Sequence, residues 1–159
     1  MQVQNRLNKE QGLEKIKYYC SYQERCHREV KEKLYGYGLR KADVEEILST
    51  LIENNYLNEE RFAILFAGSK FRIKQWGRKK IQYELQQKGV SSFLIKLSLK
   101  EIGDEPYFET LTKLTEKKWK SLKGQQYLVR QSKTYNYLLQ KGYEPVLISR
   151  AIAQIKSPE

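Results

Sequence analysis

Histidine occurs once, cysteine twice and proline three times among 159 residues, and each shortage removes a class of function. His27 is the lone imidazole, and with Cys20 and Cys26 it lacks the spacing and the fourth nitrogen or sulfur ligand of a zinc site. Neighbours on a helix diverge by about 100°, so Cys26 and His27 make a poor nucleophile and base. If the two cysteines share one helix, they lie about 240° apart and about 9 Å along its axis. That exceeds the reach of a disulfide, so both are expected as reduced thiols, which fits a cytosolic home. The chain has no run of 18 apolar residues to span a bilayer, and Met1 to Arg6 carries no apolar signal segment. Hairpin dipeptides such as Asn-Gly are missing, as is any long period-two run, which leaves no strand to expect. Gly36-Tyr37-Gly38 has Lys41 where a dinucleotide loop needs its third glycine, and Gly77-Arg78-Lys79-Lys80 lacks the spacing and final hydroxyl of a P-loop. The expectation is a soluble, cytoplasmic protein that is not an enzyme, takes no metal or cofactor and touches no membrane.

What is present is helical and repetitive. The apolar fraction of 40%, with 12 tyrosines, is enough to build a packed core. Gly38, Gly89 and Gly142 each close a strongly helical stretch and suit the left-handed position after a helix. Asn58 before Glu59 and Glu60 reads as an N-cap, and Pro145 as a first helical residue. Spacing predicts helices over about 9–22, 26–36, 41–54, 59–74, 78–88, 92–102, 106–120, 125–140 and 145–155. Phe62, Leu65, Phe66 and Ile73 form one expected core stripe, and Val44, Ile47, Leu48, Leu51 and Ile52 another. The three glycines also register an internal repeat. Four residues before them lie Leu34, Leu85 and Leu138; six after lie Val44, Ile95 and Ile148; ten after lie Leu48, Leu99 and Ile152. Eight before lie Val30, Ile81 and Thr134, where the third copy departs. The expected fold is all-α: three tandem three-helix repeats stacked into an elongated, curved array of helices crossing at right angles. Their bounds are 9–57, 58–104 and 105–159, with a tail over 1–8 and a short tail at the C-terminal end.

The middle of the chain resembles a known family. Asn55-Tyr56-Leu57-Asn58-Glu59-Glu60-Arg61-Phe62-Ala63, then Gly77-Arg78-Lys79-Lys80-Ile81-Gln82-Tyr83-Glu84-Leu85 and Lys88-Gly89-Val90, are similar to the central signature of the RecX regulators of the RecA recombinase. Residues 28–34 to Leu51 resemble the family's first repeat, and residues 137–143 its third. The resemblance covers about 9–156. It implies three three-helix repeats, in agreement with the repeat read from the glycines. It also implies binding along the groove of the RecA filament on single-stranded DNA, which damps ATP hydrolysis, filament extension and strand exchange; apart from the resemblance, a monomer is expected.

Charge is segregated along the chain. Residues 61–83 hold seven basic residues (Arg61, Lys70, Arg72, Lys74, Arg78, Lys79, Lys80) and no acid, whereas 41–60 carry one lysine and six acids. Ile81 and Leu85 define a buried side on their helix, so Lys79, Tyr83 and Gln86 face the other way. A cation one turn from an aromatic can hold a phosphate and stack on a base, or pair with carboxylates on a protein surface. Trp76 is expected in the interior. Residues 110–143 hold eight basic residues and one acid, with Lys117, Lys118, Trp119, Lys120 and Lys123 clustered and Lys113 on the face of Lys117 and Lys120. In the first segment, Glu24, Glu29 and Glu32 offset Arg25, His27 and Arg28, which reads as a solvated face. The expected filament- or nucleic-acid-binding set is therefore Arg72, Lys74, Arg78, Lys79, Lys80, Tyr83, Lys117, Lys118, Lys120 and Lys123. The alternative to a RecA regulator is a module that binds single strands without RecA. Glutamates at Arg72, Lys74, Arg78 and Lys79 are expected to abolish binding and leave the fold intact.

Overall fold

The computed structural model describes residues 6–156, so residues 1–5 of the expected N-terminal tail and 157–159 of the C-terminal tail lie outside it. The described residues form α1 (Lys9–Tyr22), α2 (His27–Gly36), α3 (Lys41–Glu53), α4 (Glu59–Lys74), α5 (Arg78–Gln87), α6 (Ser92–Lys100), α7 (Asp104–Ser121), α8 (Tyr127–Lys141) and α9 (Pro145–Lys156). No strand occurs among them. The chain is an all-α helical repeat. None of the described helices is long and apolar enough to cross a membrane.

The boundaries follow local chemistry. Asn8 and Gln11 form a reciprocal capping box at α1, with bonds of 2.8 and 3.0 Å. Asn58 Oδ1 accepts the Arg61 N–H at 3.0 Å, which caps α4. Gly142 ends α8 at φ 100°. Pro145 opens α9, where its missing N–H costs nothing. The second helix, α2, begins at His27, with Cys26 as its N-cap. Cys20, in α1, and Cys26 sit in different elements, as the predicted helices 9–22 and 26–36 place them, so the single-helix geometry does not apply. Both are free and buried. Burial pushes the Cys20 thiol up to about 11. Cys26 is pushed up to about 12 by burial and by its Sγ–H donating to the Glu29 carboxylate at 3.1 Å.

Contacts divide the chain into two units, Met1–Leu65 with Leu85–Ile95, and Phe66–Glu84 with Lys96–Glu159. In the first, α1, α2 and α3 pack on one another around Ile16, Val30, Leu34, Val44, Ile47 and Leu51. Polar ties secure its rim. Arg61 pairs with Glu24 and donates to the side chain and carbonyl of Asn55 at 3.2 Å. His27 Nδ1 lies 3.5 Å from the Glu59 carboxylate, and Lys88 lies 3.7 Å from Glu29.

In the second unit α7, α8 and α9 pack on one another, with Leu111, Leu114, Leu138, Ile148 and Ile152 buried. Tyr107 and Tyr143 are fully enclosed, their rings 5.2 Å apart. Buried hydroxyls need partners. Tyr107 accepts from the Arg78 N–H at 3.0 Å and donates to Glu144, while Tyr143 donates to the Gln75 carbonyl at 3.0 Å. Thr134, where the third repeat departs from an apolar pattern, is buried and donates to the Arg130 carbonyl at 2.8 Å.

Two expected stripes differ from the observed ones. On α4 the buried face runs through Phe62, Ala63, Ala67 and Phe71, whereas Ile73 is 76% exposed and Leu65 half-exposed. Measured from Phe62, the residues Ala63, Ala67 and Phe71 lie at about 100° to 180°, and Leu65 and Ile73 at about 300° and 20°. The buried face thus extends from Phe62 to the side of Ala63, Ala67 and Phe71, away from Leu65 and Ile73. On α3, Val44, Ile47 and Leu51 are buried as expected, but Ile52 is nearly half-exposed.

Candidate functional site

The turn between α4 and α5 gathers most of the sequence-predicted cations. Gln75 takes φ 57° there, and Trp76 and Gly77 complete the corner. The Gly77 N–H donates to the Lys141 carbonyl at 2.8 Å and the Lys79 N–H to the Gly142 carbonyl at 2.9 Å. With the Arg78 N–H on Tyr107, three backbone donors at the start of α5 are already used. A cradle of free amides for an anion is therefore absent at this helix start, and what the corner offers is side-chain charge.

That charge is not all free. Arg61 is held by Glu24, an acid 37 residues away. Arg78 was expected in the binding set, but only 21% of its side chain is exposed. Its guanidinium donates to the Ile102 carbonyl at 2.9 Å and to Asp104 at 2.8 Å, and lies 4.0 Å from the Tyr107 ring centre. Its expected exposure is thus corrected: Arg78 ties the start of α5 to the start of α7. Lys70 and Lys80 stand 5.0 and 4.5 Å from the ring centre of Trp76. The tryptophan is half-buried against Phe66 rather than sunk in the core.

Arg72, Lys74 and Lys79 are exposed, and Tyr83, also exposed, lies one turn beyond Lys79 as its spacing implies. The structure adds Lys141 and Tyr137, which the expected binding set lacks. Lys141 Nζ donates to the Lys74 carbonyl at 3.1 Å, and both Lys141 and Lys118 approach the Tyr137 ring, at 5.9 and 4.9 Å. Lys118 is thereby linked to the α4–α5 corner through Tyr137 and Lys141. The only sequence signal for Lys141 is its place in the last turn of α8, where a cation suits the helix dipole. Lys117, Lys120 and Lys123 are exposed along and just after the end of α7, and no ion pair or ring contact among the described residues ties them to the corner. Trp119 is covered by the Arg130 guanidinium at 4.1 Å and by Tyr127 at 6.2 Å.

In the first segment, the solvated-face expectation fails for Arg25, whereas Arg28 is exposed. Arg25 lies 3.7 Å from the Tyr19 ring centre and donates to the Tyr19 carbonyl at 3.1 Å. Arg28 donates to the Gln87 carbonyl.

Comparison with known proteins bears on this arrangement. Residues 58–99 match the family model described as RecX, second three-helix domain, and residues 105–152 match RecX, third three-helix domain, together over half of the chain. The chain belongs to the RecX family. Proteins named regulatory protein RecX from Bacillus cytotoxicus and Bacillus thuringiensis are 30% and 31% identical to it over 138 residues, 87% of this chain. The chain spans about half the length, 51%, of these curated relatives. Among solved structures, RecX from Lactobacillus salivarius superposes with a TM-score of 0.85 at 25% identity, over 92% of this chain and 96% of that one. A second structure, titled regulatory protein RecX, gives 0.79 at 23% identity over 92% and 73%. The RecX likeness thus extends over all three helical segments, including the first, which neither family model covers.

Proposed function

We propose that this chain is a regulator of RecA that acts by binding, not by catalysis. It attaches to the RecA filament on single-stranded DNA and lowers ATP turnover, filament extension and strand exchange, working in the cytoplasm as a monomer. RecX family membership supports the regulatory role. The observation that carries the binding surface is the α4–α5 corner, where Arg72, Lys74 and Lys79 project with no acid between residues 61 and 83. Tyr83, Lys80 and Lys118 extend that surface, and Lys117, Lys120 and Lys123 are its further contacts. Arg78 supports it from behind. A binder preferring one filament state shifts the equilibrium by its differential affinity for that state. The test is a titration of the protein into RecA assembled on single-stranded DNA. ATP turnover should fall at substoichiometric amounts, and unchanged turnover and filament length across a wide titration would remove the reading.

A second reading, direct binding of single strands without RecA, is favoured by the exposed Lys79 and Tyr83 one turn apart on α5. It requires affinity for the naked strand that falls steeply with salt. Binding seen only on RecA-coated DNA would reject it.

A further inference from the structure

On the first unit, α1 presents a surface that the RecA reading does not use. Tyr18 and Tyr22 lie four residues apart, one turn and about 6 Å along the axis, and are 77% and 76% exposed. They border a groove of about 560 Å³, within the range of ligand sites. Its walls are two further tyrosines, Tyr19 and Tyr37, each already faced by cations. Arg25 and Lys33 approach the Tyr19 ring at 3.7 and 5.3 Å, and Lys15 approaches Tyr37 at 5.8 Å. Three cations and one acid, Glu14, line the groove. The wall rings are spoken for, whereas no ring contact or cation contact among the described residues occupies Tyr18 or Tyr22.

An aromatic pair this exposed is costly to hydrate and contributes nothing to the core of α1, which is made by Ile16 and Cys20. Flat rings with cations beside them match a ligand that is both aromatic and anionic. Two such rings at a one-turn step match one that repeats. A single strand of nucleic acid has this chemistry, with bases for the tyrosines and phosphates for Lys15, Lys33 and the outer edge of Arg25. We infer that the tyrosine groove of α1 and α2 is a single-stranded nucleic-acid site in which Tyr18 and Tyr22 stack on bases. It needs neither RecA nor the α4–α5 corner.

The experiment uses the full chain and a fluorescein-labelled oligothymidine, read by anisotropy over a salt series. Tyr18→Ala and Tyr22→Ala should each weaken binding about tenfold or more. Tyr18→Phe and Tyr22→Phe should keep it, because stacking needs the ring and not the hydroxyl. Lys15→Gln and Lys33→Gln should flatten the salt dependence, which the tyrosine variants leave unchanged. Photocrosslinking to an iododeoxyuridine strand should mark the tryptic peptide 18–25. Alanine variants that bind as tightly as the unaltered chain, a crosslink confined to α5, or no binding to the naked strand would each overturn the site. Equal loss in the phenylalanine variants would overturn the stacking role. Failure of the RecA titration would leave all of these results standing, so the two ideas fail separately.

Discussion

Arginine behaves differently at positions 72 and 78, although both lie in the same acid-free stretch. Arg78 has two hydrogen bonds and a ring beneath it, and its Nε is buried without a partner. Arg72 is exposed. Arg78→Ala should therefore lower stability by about 1–3 kcal/mol through lost hydrogen bonds and stacking, measured by urea denaturation. Arg72→Glu and Lys79→Glu should stay within about 0.5 kcal/mol while raising by about tenfold or more the concentration needed for the proposed effect on RecA. A fold that tolerates Arg78→Ala as readily as Arg72→Glu would show that the Arg78 contacts contribute little. The same contrast explains why a variant with glutamate at Arg72, Lys74, Arg78 and Lys79 confounds binding with folding. The test needs Arg72, Lys74 and Lys79 alone.

At the scale of elements, the helices meet at glycines. Gly142 has φ 100°, and a Cβ there would drive into the backbone and Cβ of Lys80; a Cβ on Gly77 would strike the Gly142 carbonyl. The two turns approach so closely because neither has a side chain, and this approach permits the Gly77–Lys141 and Lys79–Gly142 bonds. Gly77→Ala should cost about 2 kcal/mol or more, since backbone and not a flexible tip must move. Gly36, with nothing within 4 Å of the added atom and an ordinary φ, should instead gain about 0.5–1 kcal/mol as alanine. Leu34→Ala, Leu85→Ala and Leu138→Ala, three fully buried repeat positions, should each cost about 2–5 kcal/mol. Thermal or urea melts of these five variants check the signs. Near-neutral values at all three leucines would contradict the repeat alignment. The repeat was legible because each helix carries its own periodicity and its own stop. The exact stripe on α4 was not, because apolar residues lie on more than one side of that helix and packing buried Phe62, Ala63, Ala67 and Phe71 rather than Leu65 and Ile73.

For the molecule as a whole, two charge-linked behaviours follow. Cys20 and Cys26 hold their protons to about 11 and 12, against an ordinary 9, and burial also pushes Tyr107 and Tyr143 above the ordinary 10. Above pH 9 the unfolded chain releases thiol protons that the folded protein retains. The stabilisation is complete below pH 9 and is lost as pH climbs toward 11 and beyond. A denaturation midpoint that stays flat from pH 9 to 11 would count against burial of these groups. Consistently, thiol reagents at pH 8 should label neither cysteine until the chain is unfolded. The net charge of +11 favours an anionic polymer as partner, and binding to it should weaken with salt.

Local sequence determined which stretches are helical and how α1 and α4 start and α8 stops, because caps, helix-ending glycines and the 3.6-residue period act over a few neighbouring residues. It also determined the repeat and the Lys79–Tyr83 face, which depend on position along one helix. Only the tertiary structure decided which cations are free. Arg61 finds Glu24 across 37 residues and Arg78 finds Asp104 across 26, and no count of charges within a window can register an acid that folding brings from outside it. The tyrosine groove escaped for the same reason: α1 supplies Tyr18 and Tyr22, but Lys33 and Tyr37 come from α2 and its end, and they line one groove only when the helices pack.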